Sequence, residues 1–394
     1  MKYYYIIIII DAIHELSPNS AAGPDGVPSA LLVNCAHELA PILLKLFSDS
    51  FYSSFIPPEL KRAAITPIFK SGDKSLPSNY RPISLTSVIS KVFERIIRKQ
   101  VFEFLTEKGC LNSTQHGFRS GRSCLSALLD VFDDIMHMLE HKHTVDMIYL
   151  DFSKAFDKVD HGILLHKLRA TGITGHLRQW FYNFLTNRTQ FVRLPGGISQ
   201  DYPVLSGVPQ GTVLGPLLFL LMIGDINQFV KSSRLISFAD DTRLYSRISN
   251  VDDCDSLQHD LNSVYDWATT NNMIFNSQKF NYISFSSNMA SERTNVYINP
   301  GMNIINPSIN VRDLGIQMSS NCSFDTHIID LSKRCYNLTG WILRTFITRD
   351  KLTMLTLFKS IVLSRLDYAS QLWSPHKLKH INLIERIQRS SPNT

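Results

Sequence analysis

Three aspartates carry the strongest chemical signal in this sequence. Asp151 closes the apolar run Met147-Ile148-Tyr149-Leu150, and Asp240-Asp241 follows Leu235-Ile236-Ser237-Phe238. A carboxylate at the exit of an apolar strand is costly unless it is paired or bound to a cation. Three carboxylates drawn together repel one another, and a divalent ion relieves the repulsion. Mg²⁺ suits such a set, because it takes one or two carboxylates and leaves its other positions to substrate phosphates and water. Two ions about 3.5–4 Å apart can activate an attacking hydroxyl and stabilise a leaving oxyanion. The chemistry implied is in-line phosphoryl transfer. Taken alone, an Asp-Asp pair in a turn more often only closes the turn, so the surrounding elements and motifs must decide.

The elements needed to bring these residues together are legible. Thr144 to Phe152 reads as a buried strand, its apolar residues nearly unbroken. Leu235–Phe238, the Asp240-Asp241 turn and Thr242–Ser246 read as a hairpin. Helical patterns cover Ser29 to about Phe55 (with a bend expected at Pro41), Ser87–Leu105, Ser123–Leu139, His161–Leu185, Thr212–Val230 and Cys254–Asn271. Ala63–Phe69 reads as a strand, and Lys70–Lys74 and Asn79–Pro82 as loops. Two or three short strands are expected between the last of those helices and about residue 317, and from Phe324 the pattern is helical throughout. The apolar start through Ile6–Ile10 reads as a buried strand or as a misplaced start; it is too short for a membrane span, which needs about 20 residues. Mixed strands and helices followed by an all-helical stretch indicate an α+β core with a helical appendage.

Charge is distributed unevenly. Residues 61–122 hold 12 Lys/Arg against 4 Asp/Glu, and residues 331–394 hold 11 against 3, while the whole chain is only +6. Two basic flanks therefore enclose an acidic middle. Basic surfaces suit a phosphate backbone and acidic clusters suit divalent cations, although runs of charge also occur simply as solvated helix faces. The six cysteines form no CxxC pair, so neither a zinc site nor a disulfide framework is readable.

Read in order, the motifs resemble the reverse transcriptase domain of non-LTR (LINE-type) retrotransposons, closest to the jockey/CR1-like group. The matching segments are Asn79-Tyr80-Arg81-Pro82-Ile83-Ser84-Leu85-Thr86, Gln115-His116-Gly117-Phe118-Arg119, Tyr149 to Asp157, Gly207-Val208-Pro209-Gln210-Gly211 through Pro216, Phe238-Ala239-Asp240-Asp241, and Leu366-Asp367-Tyr368. The resemblance extends over about residues 20 to 376. It implies a right-hand polymerase with fingers, a palm with an antiparallel sheet, and a helical thumb. Residues 1–60 are then an N-terminal extension, partly helical, 61–318 the fingers and palm, and 319–394 the thumb with a truncated C-terminal tail.

The same resemblance implies roles. Asp151, Asp240 and Asp241, with the backbone carbonyl of Phe152, would hold two Mg²⁺ ions, Mn²⁺ being an alternative. Phe156 would exclude a ribose 2′-hydroxyl. Arg81 and Lys70 would grip the triphosphate, since a guanidinium fork suits phosphate oxygens. Gln210 and Gly211 would pack on the incoming nucleotide, Lys279 would assist pyrophosphate departure, and Leu314-Gly315 would support the primer strand. Arg344 and Lys351, with Lys359 and Arg365, would contact the template–primer duplex through phosphates. The partners implied are an RNA template, a DNA primer and deoxynucleoside triphosphates, with no membrane; the place of action would be intracellular, at nuclear DNA. The oligomeric state is left open.

The chain departs from the family pattern at Gly224, at Phe280 after Lys279 and at Ala21-Ala22. An upstream endonuclease does not fit ahead of residue 20, and the end at Ser391–Thr394 is abrupt, so the chain reads as a partial copy. Two alternatives stand beside the main reading. An RNA-dependent RNA polymerase shares the Asp-Asp hairpin, but Phe156 and Pro209-Gln210-Gly211 speak against it. A catalytically silent nucleic-acid-binding relic is the other; the complete carboxylate set speaks against that.

Overall fold

The strand Thr144–Leu150 is the centre of the architecture that matters for the site. It pairs antiparallel with Asp241–Ile248 on one side and Asn281–Phe285 on the other, and Arg234–Phe238 completes a four-stranded antiparallel sheet. Its side chains Val145, Met147 and Ile148 are fully buried, as its unbroken apolar pattern requires. One face of the sheet is covered by the helix Cys124–Glu140, whose Leu128, Val131 and Ile135 join Val145, Met147, Ile236 and Ile283 in one core. Ser123 caps that helix through a reciprocal bond with Ser126.

The computed structural model describes residues 2–286, 295–347 and 350–389. The chain divides into two compact units, neither continuous in sequence. The first comprises Met1–Phe118, Phe152–Phe229 and Val264–Phe275; the second comprises Arg119–Asp151, Val230–Ser263 and Asn276–Thr394. Residues 390–394 of the expected tail lie outside the described residues.

In the second unit, Asn310–Asp313 and Ile316–Ser319 form a tight hairpin in which Asp313 pairs with Ile316. Both turn residues have positive φ, 41° at Leu314 and 90° at Gly315, the backbone a two-residue hairpin loop demands. The helix Asp325–Thr345 follows. Lys351–Leu357 then passes through a π-helical turn at Phe358–Leu363 into Ser364–Asp367, and Leu378–Arg389 is the last helix described. Cys335, Ile342, Met354, Phe358 and Val362 form their shared core.

In the first unit, Arg62–Phe69 is central to a five-stranded sheet. It pairs antiparallel with Tyr80–Thr86 and parallel with Arg188–Leu194, which also pairs with Gly197–Ile198 and Tyr202–Val204. Asn79–Pro82 is therefore not simply a loop: Tyr80 to Pro82 begin an edge strand. Pro82 is tolerated there because an edge strand has one side with no ladder to donate to. The long helix Val88–Glu107 buries Val88, Val92, Phe93, Ile97 and Val101.

Two further expectations are corrected. The isoleucine-rich start is the helix Lys2–His14, not a strand. Ile9, Ala12, Ile13 and Leu16 are buried while Tyr3 and Tyr4 are exposed. That spacing is helical, so one-sided burial overrides the strand preference of isoleucine. The predicted helix from Ser29 is interrupted at Cys35 rather than bent at Pro41, which lies inside Ala36–Ser53. Among the described residues no helix is long and apolar enough to cross a membrane.

Candidate active site

The ladder itself assembles the carboxylates. The last pair between the two central strands is Leu150↔Thr242. One step beyond it, Asp151 leaves one strand beside Asp241, where the neighbouring strand begins. Across the hairpin Phe238 pairs with Asp241, so Ala239 and Asp240 form the tip. Ala239 adopts φ 56°, a left-handed conformation that costs a residue with a side chain of the order of 1 kcal/mol or more. It is held there by the paired strands.

The electrostatics record the crowding. The Asp241 carboxyl is pushed above the usual carboxylate range by partial removal from water, then by the charges of Asp240 and Asp151, with Arg243 opposing. Lys279 is placed at the same end: its Nζ donates to Asp151 Oδ2 at 2.7 Å, and the Asp151 carbonyl accepts from the Asn276 amide at 2.8 Å. Phe280, a departure from the family pattern, fills buried space at the start of the strand Asn281–Phe285.

Among the described residues no group of three or more His, Cys, Asp or Glu side chains is gathered as a metal cage. A Mg²⁺ site does not need one. Hard carboxylate oxygens on adjacent strand ends, with substrate phosphates and water supplying the remaining ligands, match what that ion accepts. Asp151, Asp240 and Asp241 fit the ion on donor chemistry and on accumulated negative charge.

Apart from Lys279, the residues expected to handle the nucleotide lie in the first unit, and several of them share one packed locus. The Phe156 ring stacks on Phe219 at 4.4 Å and meets Phe118 edge-on at 5.8 Å. The Phe156 carbonyl accepts from Val208, and Gln210 Nε2 donates to Asp157 Oδ1 at 3.2 Å. The Gln210 carbonyl in turn accepts from the Ser84 amide at 2.7 Å, tying this loop to the strand that carries Arg81. Two glycines permit the close approach. A Cβ on Gly211 (φ 121°) would lie 2.3 Å from the Ser84 carbonyl oxygen, and one on Gly207 (φ 87°) would lie 2.8 Å from backbone of Phe156 and Asp157. Lys70 and Arg81 are exposed, and among the described residues neither side chain has an ion-pair partner. Phe152 is buried and stacks on Phe275 at 4.2 Å.

In the second unit, Leu314 and Gly315 form the turn described above, and the Leu314 carbonyl accepts from the Tyr368 hydroxyl at 2.7 Å. Arg344 is exposed near the end of Asp325–Thr345, and Lys351 is exposed at the start of the next helix. Sequence reasoning missed what stands beside that turn: a cleft of about 400 Å³ walled by Arg312, His327, Arg334, Arg365 and Tyr368 with Leu314-Gly315. It also missed Glu94, buried at 1% exposure, which accepts from the Val213 and Leu214 amides at 2.7 and 3.0 Å and from Ser90. The signal for Glu94 was present: an acid within the apolar face of Val88–Glu107.

A protein-family model described as reverse transcriptase (RNA-dependent DNA polymerase) matches residues 68–318. The chain belongs to the reverse transcriptase family. The match runs from the strand preceding Arg81 through the hairpin carrying Leu314-Gly315, so it contains both the carboxylate end of the sheet and the Phe156–Gln210 locus. A probable RNA-directed DNA polymerase from transposon X-element of Drosophila melanogaster is 30% identical over 392 residues, covering 96% of this chain and 42% of that protein. The RNA-directed DNA polymerase from mobile element jockey of Drosophila funebris is 26% identical over 393 residues, again 96% of this chain and 42% of that protein. The kinship with reverse transcriptases of mobile elements, expected from the motifs, holds. A structure of apo telomerase from Candida tropicalis, truncated from its C-terminal domain, superposes with a TM-score of 0.46 at 14% identity, over 72% of this chain and 59% of that one. The chain spans about two fifths of the length of the curated relatives it matches.

Proposed function

We propose that this chain is the polymerase core of a non-LTR retrotransposon, adding deoxynucleotides to a primer 3′-hydroxyl on an RNA template. The observation that carries the reading is the ladder end that sets Asp151 beside Asp241 with Asp240 at the adjoining tip. Residues 61–318 serve as fingers and palm, and the helices from 319 onward as thumb.

Two divalent cations bound by Asp151, Asp240 and Asp241 would supply activation of the primer hydroxyl and charge neutralisation at the leaving pyrophosphate. The chain's own residues do the rest. Arg81 and Lys70, exposed cations on the edge strand and its adjoining loop, bind the triphosphate oxygens. Phe156, fixed between Phe219 and Phe118, presents a ring that a 2′-hydroxyl would strike. Gln210, tethered to Asp157, packs on the incoming nucleotide. Lys279 holds Asp151 in place by its ammonium group and would meet the negative charge of the departing pyrophosphate. The basic cleft beside Leu314-Gly315 takes phosphates of the duplex without reading its sequence.

The test is extension of an oligo-dT primer on poly-rA with Mg²⁺ and dTTP by the chain and by its Asp240→Asn variant. Activity that collapses in the variant supports both the polymerase and its carboxylate site. A folded chain that binds the RNA–DNA duplex yet extends nothing would sink the proposal.

A further inference from the structure

Two residues beyond Asp241, the strand Asp241–Ile248 carries Arg243, which is 1% exposed. In the sheet it lies between Tyr149 and Ile236. A guanidinium at that depth is tolerated only with a partner. The partner is Asp313, 3% exposed, which receives Arg243 Nε at 2.6 Å on one carboxylate oxygen and Nη2 on the other. Asp313 is the last residue before the Leu314-Gly315 turn. Tyr149 reaches the same hairpin, its hydroxyl 4.0 Å from Met318 Sδ. On the far side of the turn, the Leu314 carbonyl is held by Tyr368, which walls the basic cleft with Arg312, Arg334 and Arg365.

An unbroken series of short links therefore runs from Asp241 through Thr242 and Arg243 to Asp313, Leu314 and Tyr368. Stability does not explain an ion pair in the middle of it. Apolar residues of similar volume commonly replace buried ion pairs at no loss of stability, or with a gain. What the two-pronged contact provides is geometry: a planar fork on a carboxylate fixes both spacing and orientation.

We infer that the Arg243–Asp313 ion pair is a strut that sets the Leu314-Gly315 turn and its basic cleft at a fixed distance from the catalytic carboxylates, delivering the 3′ end of the strand held in the cleft to Asp241. Arg243 and Asp313 are thus positioning residues. The inference rests on the polymerase reading above, and it predicts a loss in the chemical step rather than in nucleotide binding, because a misplacement of about 1 Å can cost on the order of a hundredfold in rate.

The decisive variant is Arg243→Met with Asp313→Leu, which removes both charges together and leaves neither buried alone. Four quantities are measured: melting temperature, template–primer affinity, kcat and KM for dTTP on poly-rA/oligo-dT, and amide hydrogen exchange over residues 310–319. The expected result is an unchanged melting temperature, template–primer binding and KM within about threefold, kcat lower by about tenfold or more, and faster exchange in the turn. A folded double variant whose kcat stays within twofold of the wild type overturns the inference. If the double variant does not fold, Tyr368→Phe removes the last link at an exposed position; it should lower kcat about threefold with KM and melting temperature unmoved, and an unaltered kcat overturns the strut. A wild type that extends no primer refutes the polymerase reading instead, and the strut is then judged by hydrogen exchange, where unchanged rates at 310–319 in the double variant reject it.

Discussion

Lys279 and Asp151 lie on segments far apart in sequence, yet the lysine Nζ donates to the aspartate Oδ2 at 2.7 Å. The contact puts a positive charge directly on Asp151, beside the carboxylates of Asp240 and Asp241. Both side chains retain access to water, 51% for the lysine and 26% for the aspartate. Exposed pairs of this kind contribute at most about 1 kcal/mol, so the lysine competes with a cation only weakly. Lys279→Met is expected to lower the Mg²⁺ concentration for half-maximal primer extension by about twofold to fivefold while leaving the melting temperature nearly unchanged. A magnesium titration of the two proteins decides it, and a higher requirement in the variant would mean that Lys279 supports the ion rather than competing with it.

Glu94 makes a different sort of prediction because its carboxylate is buried under the loop that presents Gln210. Burial pushes its carboxyl upward, while the Leu214 amide, Arg188, Ser90 and the Val213 amide oppose the shift. Arg188, itself buried, is drawn down to about 10 by desolvation, with Glu94 opposing. Glu94→Ala strands the buried Val213 and Leu214 amides, and should cost about 2–6 kcal/mol, at about 1–3 for each buried donor left unsatisfied. Glu94→Gln keeps an acceptor for the amides and should cost roughly half as much. Chemical denaturation of both variants gives the comparison; equal losses would show that the charge, not the accepting oxygen, holds the loop.

Phe156 is fixed by its stack on Phe219, so it cannot swing aside for a larger sugar. Phe156→Val opens the space above the backbone while leaving Asp151, Asp240 and Asp241 untouched. The ratio of kcat/KM for dTTP to that for UTP should fall by at least about tenfold, the scale on which a pocket distinguishes one small group. Measured selectivity equal to that of the wild type would remove Phe156 from the nucleotide site and reopen the RNA polymerase alternative.

What could be read from the sequence follows from how locally each feature is determined. The strand ending at Asp151 and the Asp240-Asp241 hairpin were legible because apolar runs bounded by turn residues define them without reference to the rest of the chain. Pro82 masks the start of the strand Tyr80–Thr86 in the sequence, and the edge position that permits the proline is a property of the whole sheet. The strand Arg188–Leu194 sets only Phe191, Val192 and Leu194 among Arg188, Thr189, Gln190 and Arg193, with no period-two apolar alternation to mark it. Isoleucines 6 to 10 suggested a strand, and only the partners that bury Ile9 and Ile13 make the segment helical. Arg243 and Asp313 are unmarked in the sequence for the same reason: each is an ordinary charged residue until the fold removes both from water together.

The basic cleft offers a pH test that needs no catalysis. His327 lines it at 8% exposure, with its Nδ1 accepting from the Gln317 amide at 3.4 Å and its ring edge-on to Trp373 at 5.4 Å. Burial first, and then the charges of Arg312 and Arg334, push its imidazole down to about 4 from an ordinary 6.5, with Asp330 opposing. The folded protein therefore keeps His327 neutral over a range in which the unfolded chain takes up a proton. Stability depends on the difference in bound protons. The contribution is fully present above pH 6.5 and is lost progressively as pH falls towards 4. His327→Gln, which keeps a polar side chain but cannot titrate, should flatten the fall in melting temperature between pH 6.5 and 4 relative to the wild type, with little difference at pH 8. Thermal melts of the two proteins across that range settle the matter: parallel curves would mean that the imidazole is hydrated in solution and that the cleft stands more open to water than its lining residues suggest.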